Sequence, residues 1–283
     1  MEVITIVNFK GGTGKSETTR NLAKGNAEKG KRVLVIGNDP QGDITKALSP
    51  TTSSISKIDL SAVVSENELI HAILNHINYE VELSDLYLQP KKIKEAIIHT
   101  DIENLDIIPS TLNLSNSEIK IRSDATMPQH NRISMMLREV KNDYDLVLID
   151  CAPALNLLTI NAICATTSKI LIPLKIDEGG LSGWALTVQL IHKICEGYGL
   201  DIDYVVLFTM VQKTSHGWLK ECDQIIKSFS RILGKKVFKT VIRNQAKGVL
   251  SAGFKKDFTI DGKSGVSEDY RNLVEELDNY IGG

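Results

Sequence analysis

The stretch Lys10-Gly11-Gly12-Thr13-Gly14-Lys15-Ser16 follows the apolar run Glu2-Val-Ile-Thr-Ile-Val-Asn8 and leads into residues with helical spacing from about Glu17. Glycines let a backbone curl until successive N–H groups face one anion, and a helix behind them adds its positive end. Lys15 then supplies a point charge for the β- and γ-phosphates of a nucleotide, and the Ser16 hydroxyl is placed to ligate Mg2+. Strand, glycine loop and helix in that order are the context this motif needs, so Lys10 to Glu17 are expected to hold ATP or ADP. The ordinary loop has Gly five places before Gly14; here Phe9 stands there and a second lysine, Lys10, follows it.

Outward from this loop, short Val- and Ile-rich runs recur at 2–8, 32–37, 105–109, 144–149, 169–174, 203–211 and 236–242. Segments with apolar residues three or four apart lie between and beyond them, at 15–29, 66–77, 91–98, 130–141, 155–166, 180–197, 217–232 and 267–281. Such alternation predicts an α/β fold with a mostly parallel central β-sheet and helices on both faces. Runs such as Leu146-Val-Leu-Ile149 are apolar at successive positions, which suits strands covered on both sides. With 283 residues, 42% hydrophobic content and no internal repeat, 1–283 reads as a single P-loop ATPase domain. The irregular stretch from about Ser49 to Asp59 connects rather than divides.

Two acids stand at strand ends. The run 32–37 ends in Gly37-Asn-Asp39-Pro-Gln-Gly-Asp43, a polar cluster where open α/β sheets bind ligands. Tyr144-Asp-Leu-Val-Leu-Ile-Asp150-Cys-Ala-Pro153 is a Walker B pattern, an apolar strand closed by an acid. A buried carboxylate needs a cation or hydrogen bonds, and Mg2+ is the natural partner for Asp150.

The K-G-G-x-G-K-[ST] loop, the Asp39-Pro-Gln-Gly segment and the Asp150 strand together resemble the deviant Walker A partition ATPases, the ParA/Soj group of the MinD/ParA superfamily. Further family-like pieces follow in order: Asn104-Leu-Asp-Ile-Ile-Pro-Ser110, Ile172-Pro-Leu-Lys-Ile-Asp-Glu-Gly-Gly-Leu-Ser-Gly183, Phe238-Lys-Thr-Val-Ile242 and Ser264-Gly-Val-Ser-Glu-Asp-Tyr270. The resemblance runs from about residue 2 to 279 and is weakest between Pro50 and Asp101. It implies that Lys10 reaches across a homodimer to the phosphates of the partner's ATP, where it offsets charge otherwise desolvated unpaired. It also implies that Asp39 holds the attacking water and joins Ser16 and Asp150 in the magnesium network, that Lys10, Lys15 and Asp39 carry hydrolysis, and that a centromere-binding, ParB-like adaptor stimulates it. By the same analogy adenine rests near Met210 and Arg243. No helix-turn-helix segment precedes the loop, as in the short members of the group.

Three positions depart from the family pattern. Glu17 stands where Thr or Ser commonly follows the magnesium ligand, Gly37 replaces the first aspartate of D-x-D-P-Q-G, and Ala152 falls in the D-[CT]-P-P segment. A carboxylate is unfavourable beside phosphate, so the Glu17 side chain is expected to point away.

The formal net charge is −2, yet between Lys213 and Lys256 nine lysines with Arg231 and Arg243 face only Glu221 and Asp223, a local balance of +9. Such a patch neutralises phosphates and binds double-stranded DNA without reading its sequence, as the resemblance implies for the ATP-bound dimer. Lys220, Lys227, Arg231, Lys235 and Lys236 are the expected contacts. Trp218 lies within the patch and is expected to anchor a helix rather than stack on a base.

Cys151, Cys164, Cys195 and Cys222 form no C-x-x-C pair and read as small apolar fillers. Cys151, directly after the Walker B acid, is poorly placed for the interfacial cluster of a nitrogenase-reductase-like protein. No basic segment with a cleavable apolar run opens the chain, and no run reaches the about 18 apolar residues of a membrane span. A cytoplasmic, nucleoid-associated protein is expected. The alternative, a MinD-like positioning ATPase for membrane sites or non-DNA cargo, calls for a basic amphipathic terminus, whereas Asn272-Leu-Val-Glu-Glu-Leu-Asp-Asn-Tyr-Ile281 is acidic and repelled by anionic lipid.

Overall fold

The computed structural model describes residues 1–50, 63–69, 79–215, 217–245 and 257–281. Its main sheet has seven strands: β1 (Glu2–Ile6), β2 (Val33–Asn38), β3 (Ile98–His99), β4 (Leu105–Ile108), β5 (Leu146–Cys151), β6 (Lys169–Lys175) and β7 (Asp203–Thr209), in the order β3-β4-β2-β5-β1-β6-β7. Every pairing is parallel except β3 with β4. The central β1 lies between β5 and β6, with Ile6 opposite both Asp150 and Leu171. The carboxyl ends of β1, β2, β5, β6 and β7 therefore open on one edge, and the strand order reverses about β1, the place where such sheets bind ligands.

Among the described residues, helices around the sheet are α1 (Lys15–Glu28), α2 (Asp43–Leu48), α3 (Leu83–Leu86), α4 (Ile93–Ala96), α5 (Ser117–Ser123), α6 (Arg132–Arg138), α7 (Leu157–Ala165), α8 (Glu178–Tyr198), α9 (Lys220–Leu233) and α10 (Gly265–Leu277), besides the helical residues 66–69. Strand side chains alternate between two cores. Val147 and Ile149 pack with Ile133, Leu157, Ile191 and Cys222 beneath α6 to α9. Leu146 and Leu148 pack with Leu22, Ile44 and Leu273 beneath α1, α2 and α10. Burial on both faces explains why these strands are apolar at consecutive positions.

Some elements differ from the sequence expectation. The run 236–242 is not a strand: a 3-10 turn, Gly234–Lys236, is followed by two isolated bridges, Val206 with Val237 and Val211 with Arg243. Phe238 and Ile242 donate their N–H groups to β7 carbonyls at 3.0 and 2.9 Å, but those of Lys239 and Thr240 turn to the Glu276 carboxylate at 2.7 and 2.8 Å. Two donors leave the ladder, and the segment is buried by packing, with Phe238 4.5 Å from the Tyr280 ring. The helix expected at 91–98 shrinks to α4, because Pro90–Lys92 is a 3-10 turn and Ile98 pairs with Ile107. The helix expected from 217 starts at Lys220, since Gly217–Trp218 forms β9, paired with β8 (Lys213–Thr214). Of the helix expected at 66–77, residues 66–69 are helical and the rest lies outside the described residues, as do 51–59 of the connecting stretch.

Candidate nucleotide site

The loop between β1 and α1 turns through Gly12 and Gly14, whose φ angles of +69° and +82° lie in the region that favours glycine. The first α1 N–H to find a partner is that of Thr18, on the Gly14 carbonyl at 2.9 Å. The N–H groups of Lys15, Ser16 and Glu17 are left at the helix start, where an anion is stabilised. Lys15 is buried, its Nζ donating to the Lys10 carbonyl at 3.2 Å. Burial lowers its pKa, while the Asp150 and Asp39 charges pull the other way. A desolvated ammonium beside unpaired N–H groups suits a phosphate. The Thr13 hydroxyl is likewise buried with no partner among the described residues.

Asp150, 1% exposed, accepts from Thr19 Oγ1 at 3.2 Å and from the Ser16 hydroxyl. Burial pushes its carboxyl up to about 7, against the opposing pull of Ser16 and Lys15. Ser16 and Asp150 thus converge, and a hard cation with oxygen ligands would restore the anionic form. The donor set fits Mg2+.

Asp39 sits past β2, its Oδ1 accepting the Gln41 N–H at 2.9 Å and its carbonyl accepting the Ser110 hydroxyl at 2.8 Å. The Gly37 departure has a steric counterpart: a Cβ there would come within 3.0 Å of Ile44, 3.1 Å of Thr45 Oγ1 and 3.2 Å of Ser110 Oγ. Thr45 and Ser110, joined by a 2.9 Å bond, fill the space a side chain at 37 would need. Sequence reasoning also missed Asn38, which donates to the Leu158 carbonyl at 3.0 Å, accepts the Tyr87 hydroxyl at 2.8 Å, and so ties the Asp39 loop to α7. Cys151 beside it is buried, and burial raises its thiol to about 12, in keeping with a neutral filler.

Lys10 is exposed, outside the cradle that holds Lys15. Its N–H is held by Asn8 Oδ1 at 2.9 Å, and Asn8 in turn donates to the Pro173 carbonyl at 2.8 Å. The Lys10 side chain runs across the first turns of α8, where a Cβ on Gly183 would stand 2.8 Å from Lys10 Cβ and one on Gly179 3.2 Å from its Nζ. Asn8 and these two glycines carry no motif of their own in the sequence.

The Glu17 carboxylate points away from the loop, as expected. It pairs with Arg20 at 2.8 Å, accepts from Asn21 Nδ2 at 2.9 Å and from the Thr259 hydroxyl, and so clasps α1 to the segment before α10. Of Glu17 only the backbone N–H remains for a phosphate. Met210, at φ +54°, has its Cε 3.5 Å from where a Gly14 Cβ would stand, and the Val211–Arg243 bridge brings Arg243 to the same corner. The Arg243 guanidinium itself is held by Asp269 at 2.7 and 2.6 Å.

The five expected DNA contacts separate into two groups. Lys220, Lys227 and Arg231 lie on the exposed side of α9, whose other side packs Cys222, Ile225 and Phe229 on the core; Lys227 also pairs with Asp223 at 2.6 Å. Lys235 and Lys236 follow the helix, and Lys236 pairs with Asp203 at 2.7 Å. Lys247, Lys255 and Lys256 lie outside the described residues. Trp218 packs against the core, as expected.

A family model described as an AAA domain matches residues 1–203. Sporulation initiation inhibitor protein Soj of Bacillus subtilis (strain 168) is 32% identical over 279 residues, 98% of each chain. The chain belongs to the ParA/Soj partition ATPases. Among solved structures, apo McdA of Cyanothece superposes with a TM-score of 0.77 at 18% identity, covering 100% of both chains. Cobyrinic acid a,c-diamide synthase of Mycobacterium smegmatis, holding an ATP analogue and magnesium, gives 0.72 at 19% identity over 99% of this chain and 95% of that one. In this ParA/Soj chain the P-loop, Asp39 and Asp150 meet at the sheet edge where ligands bind in such folds. No helix among the described residues is long and apolar enough to cross a membrane.

Proposed function

We propose that the chain, acting as one P-loop unit over 1–283 in the cytoplasm, binds ATP with Mg2+, dimerises on it, holds nucleoid DNA without regard to sequence, and releases it on hydrolysis to segregate plasmid or chromosomal DNA. The observation that supports this is the contrast between two lysines: Lys15 is buried in the glycine loop, whereas Lys10 is exposed and lies along the first turns of α8, where a second subunit could meet it.

Ser16 and Asp150, with Asp39 nearby, would hold magnesium, which when bound neutralises phosphate charge. Asp39, on a loop held by Ser110 and Asn38, would orient the attacking water toward the γ-phosphate. Lys15 in cis and Lys10 in trans offset the charge that develops on the transferring group. Met210 and Arg243 flank the adenine. Lys220, Lys227, Arg231, Lys235 and Lys236 meet DNA phosphates, and a ParB-like adaptor stimulates turnover.

Co-sedimentation of the purified protein with random duplex DNA tests this. Retention with ATP but not with ADP or without nucleotide is expected, with Lys15→Ala unable to bind in any condition and Asp39→Ala retained persistently. Equal retention in all three conditions would refute the nucleotide control.

A further inference from the structure

We infer that a cleft at the opposite edge of the sheet from the nucleotide loop is a second grip on the DNA backbone, a phosphodiester site walled by two tyrosines and served by four lysines. The inference rests on the DNA-binding reading above and adds to it residues that reading does not contain.

The cleft has a volume of about 630 Å³ and is lined by Lys169, Lys235, Lys236, Lys239, Tyr204 and Tyr280. Lys169 and Asp203 begin β6 and β7 and are paired in register, whereas the loops of the nucleotide site leave the far ends of those strands. Seven residues of extended strand separate the two sites by roughly 20 Å, so both can be filled at once. Lys169 comes from outside the basic carboxyl third; the fold, and not the sequence, brings it to the other three.

The cleft holds four lysines against two acids, an excess of two positive charges. Of its two acids, Asp203 takes the Lys236 ammonium at 2.7 Å and the Tyr204 N–H at 2.9 Å. Glu276 is occupied by the N–H groups of Lys239 and Thr240 at 2.7 and 2.8 Å. Lys169, Lys235 and Lys239 have no acidic partner among the described residues. Lys236 also lies over the Tyr204 ring, 5.0 Å from its centroid, and the Tyr280 hydroxyl is turned to the Val237 carbonyl at 3.2 Å. The tyrosine walls are thus held by these contacts, in a concave surface that focuses positive potential. Four lysines against two carboxylates leave an excess of positive charge, and a run of backbone phosphates supplies an anion at every step.

The test compares Lys169→Gln/Lys239→Gln with the parent chain, and with Lys169→Arg/Lys239→Arg, by fluorescence anisotropy on a short random-sequence duplex with ATP over a series of salt concentrations. Each lysine that neutralises a phosphate contributes about 0.9 to the slope of log K against log salt, so the Gln variant should lose about 2 from the slope. It should also bind on the order of 50-fold more weakly at 100 mM salt. ATP affinity should stay at the parental value, and the Arg variant should regain the slope. A Gln variant with the parental slope overturns the cleft as a DNA site while leaving the partition reading in place. So does binding of inorganic tripolyphosphate that Lys169 and Lys239 control with no change in DNA slope. A parent chain that binds no duplex overturns the reading and the inference together.

Discussion

Replacing Glu17 with Ala separates two roles that a carboxylate beside a phosphate loop can have. In the structure this side chain is a clasp: it holds Arg20 at 2.8 Å with side chains only 19% and 9% exposed, and binds Asn21 and Thr259. Without it, Arg20 keeps the Asp257 carbonyl at 3.1 Å and the Phe258 ring at 5.8 Å, neither of which carries charge. Breaking a fully buried ion pair costs about 3–5 kcal/mol, and partial solvation of Glu17 brings the expectation to the lower end, about 3 kcal/mol. At about 2–4 °C per kcal/mol for a chain of this size, Tm should fall by roughly 6–12 °C. Differential scanning calorimetry measures this. ADP affinity, by titration calorimetry below the lowered Tm, should stay within a few-fold of the parent. Were the carboxylate instead facing phosphate at about 5 Å, its removal would relieve about 3 kcal/mol at an effective dielectric of 20 and tighten binding by roughly a hundredfold. Tighter nucleotide binding with an unmoved Tm would refute the clasp.

Other expectations follow from the same geometry. Gly183→Ala places a methyl 2.8 Å from Lys10 Cβ and must displace that side chain, so the ATP-dependent dimer should weaken at least several-fold while ADP binding holds; size-exclusion chromatography with each nucleotide reads this out. Asp150 is raised to about 7 by burial, above its unfolded value, so the unfolded chain releases this proton first and the metal-free fold loses stability as pH rises from about 4 to about 7. Urea unfolding in chelator at pH 5.5 and pH 8 should show that loss shrink in Asp150→Asn by about 2 kcal/mol. Arg132, fully buried and bonded to Asp124 at 2.7 Å and the Tyr87 carbonyl at 2.8 Å, should cost about 3–5 kcal/mol on replacement by Leu, seen as a lower urea midpoint.

Much of the nucleotide site is legible in the sequence because its chemistry is local: Gly12, Gly14, Lys15 and Ser16 act within one turn, and the apolar runs ending in Asp39 and Asp150 announce buried strands with an acid at the tip. The same local reading fails at 236–242, where Val237, Phe238, Val241 and Ile242 are as buried as any strand but Glu276 has taken two of the N–H donors a ladder needs. Apolar alternation reports burial and cannot report where backbone donors go. Position 37 reads as a lost aspartate until Thr45 and Ser110 are seen filling its space. The distant partners of the clasp, Thr259 for Glu17 and the Asp257 carbonyl for Arg20, lie more than two hundred residues on, and the charged cleft takes Lys169 from one strand and Lys239 from beyond another. Such contacts belong to the topology, in which β1 sits between strands drawn from the middle of the chain.

The dependence of pairing on nucleotide, through a lysine outside its own cradle, is tested most directly by sedimentation velocity of the parent chain and Lys10→Ala with ATP, with ADP and without nucleotide. The expected result is a dimer for the parent with ATP alone, and a monomer for Lys10→Ala throughout although it still binds ADP. A parent chain equally dimeric or equally monomeric in all three conditions, or a Lys10→Ala chain that dimerises with ATP as the parent does, would contradict it.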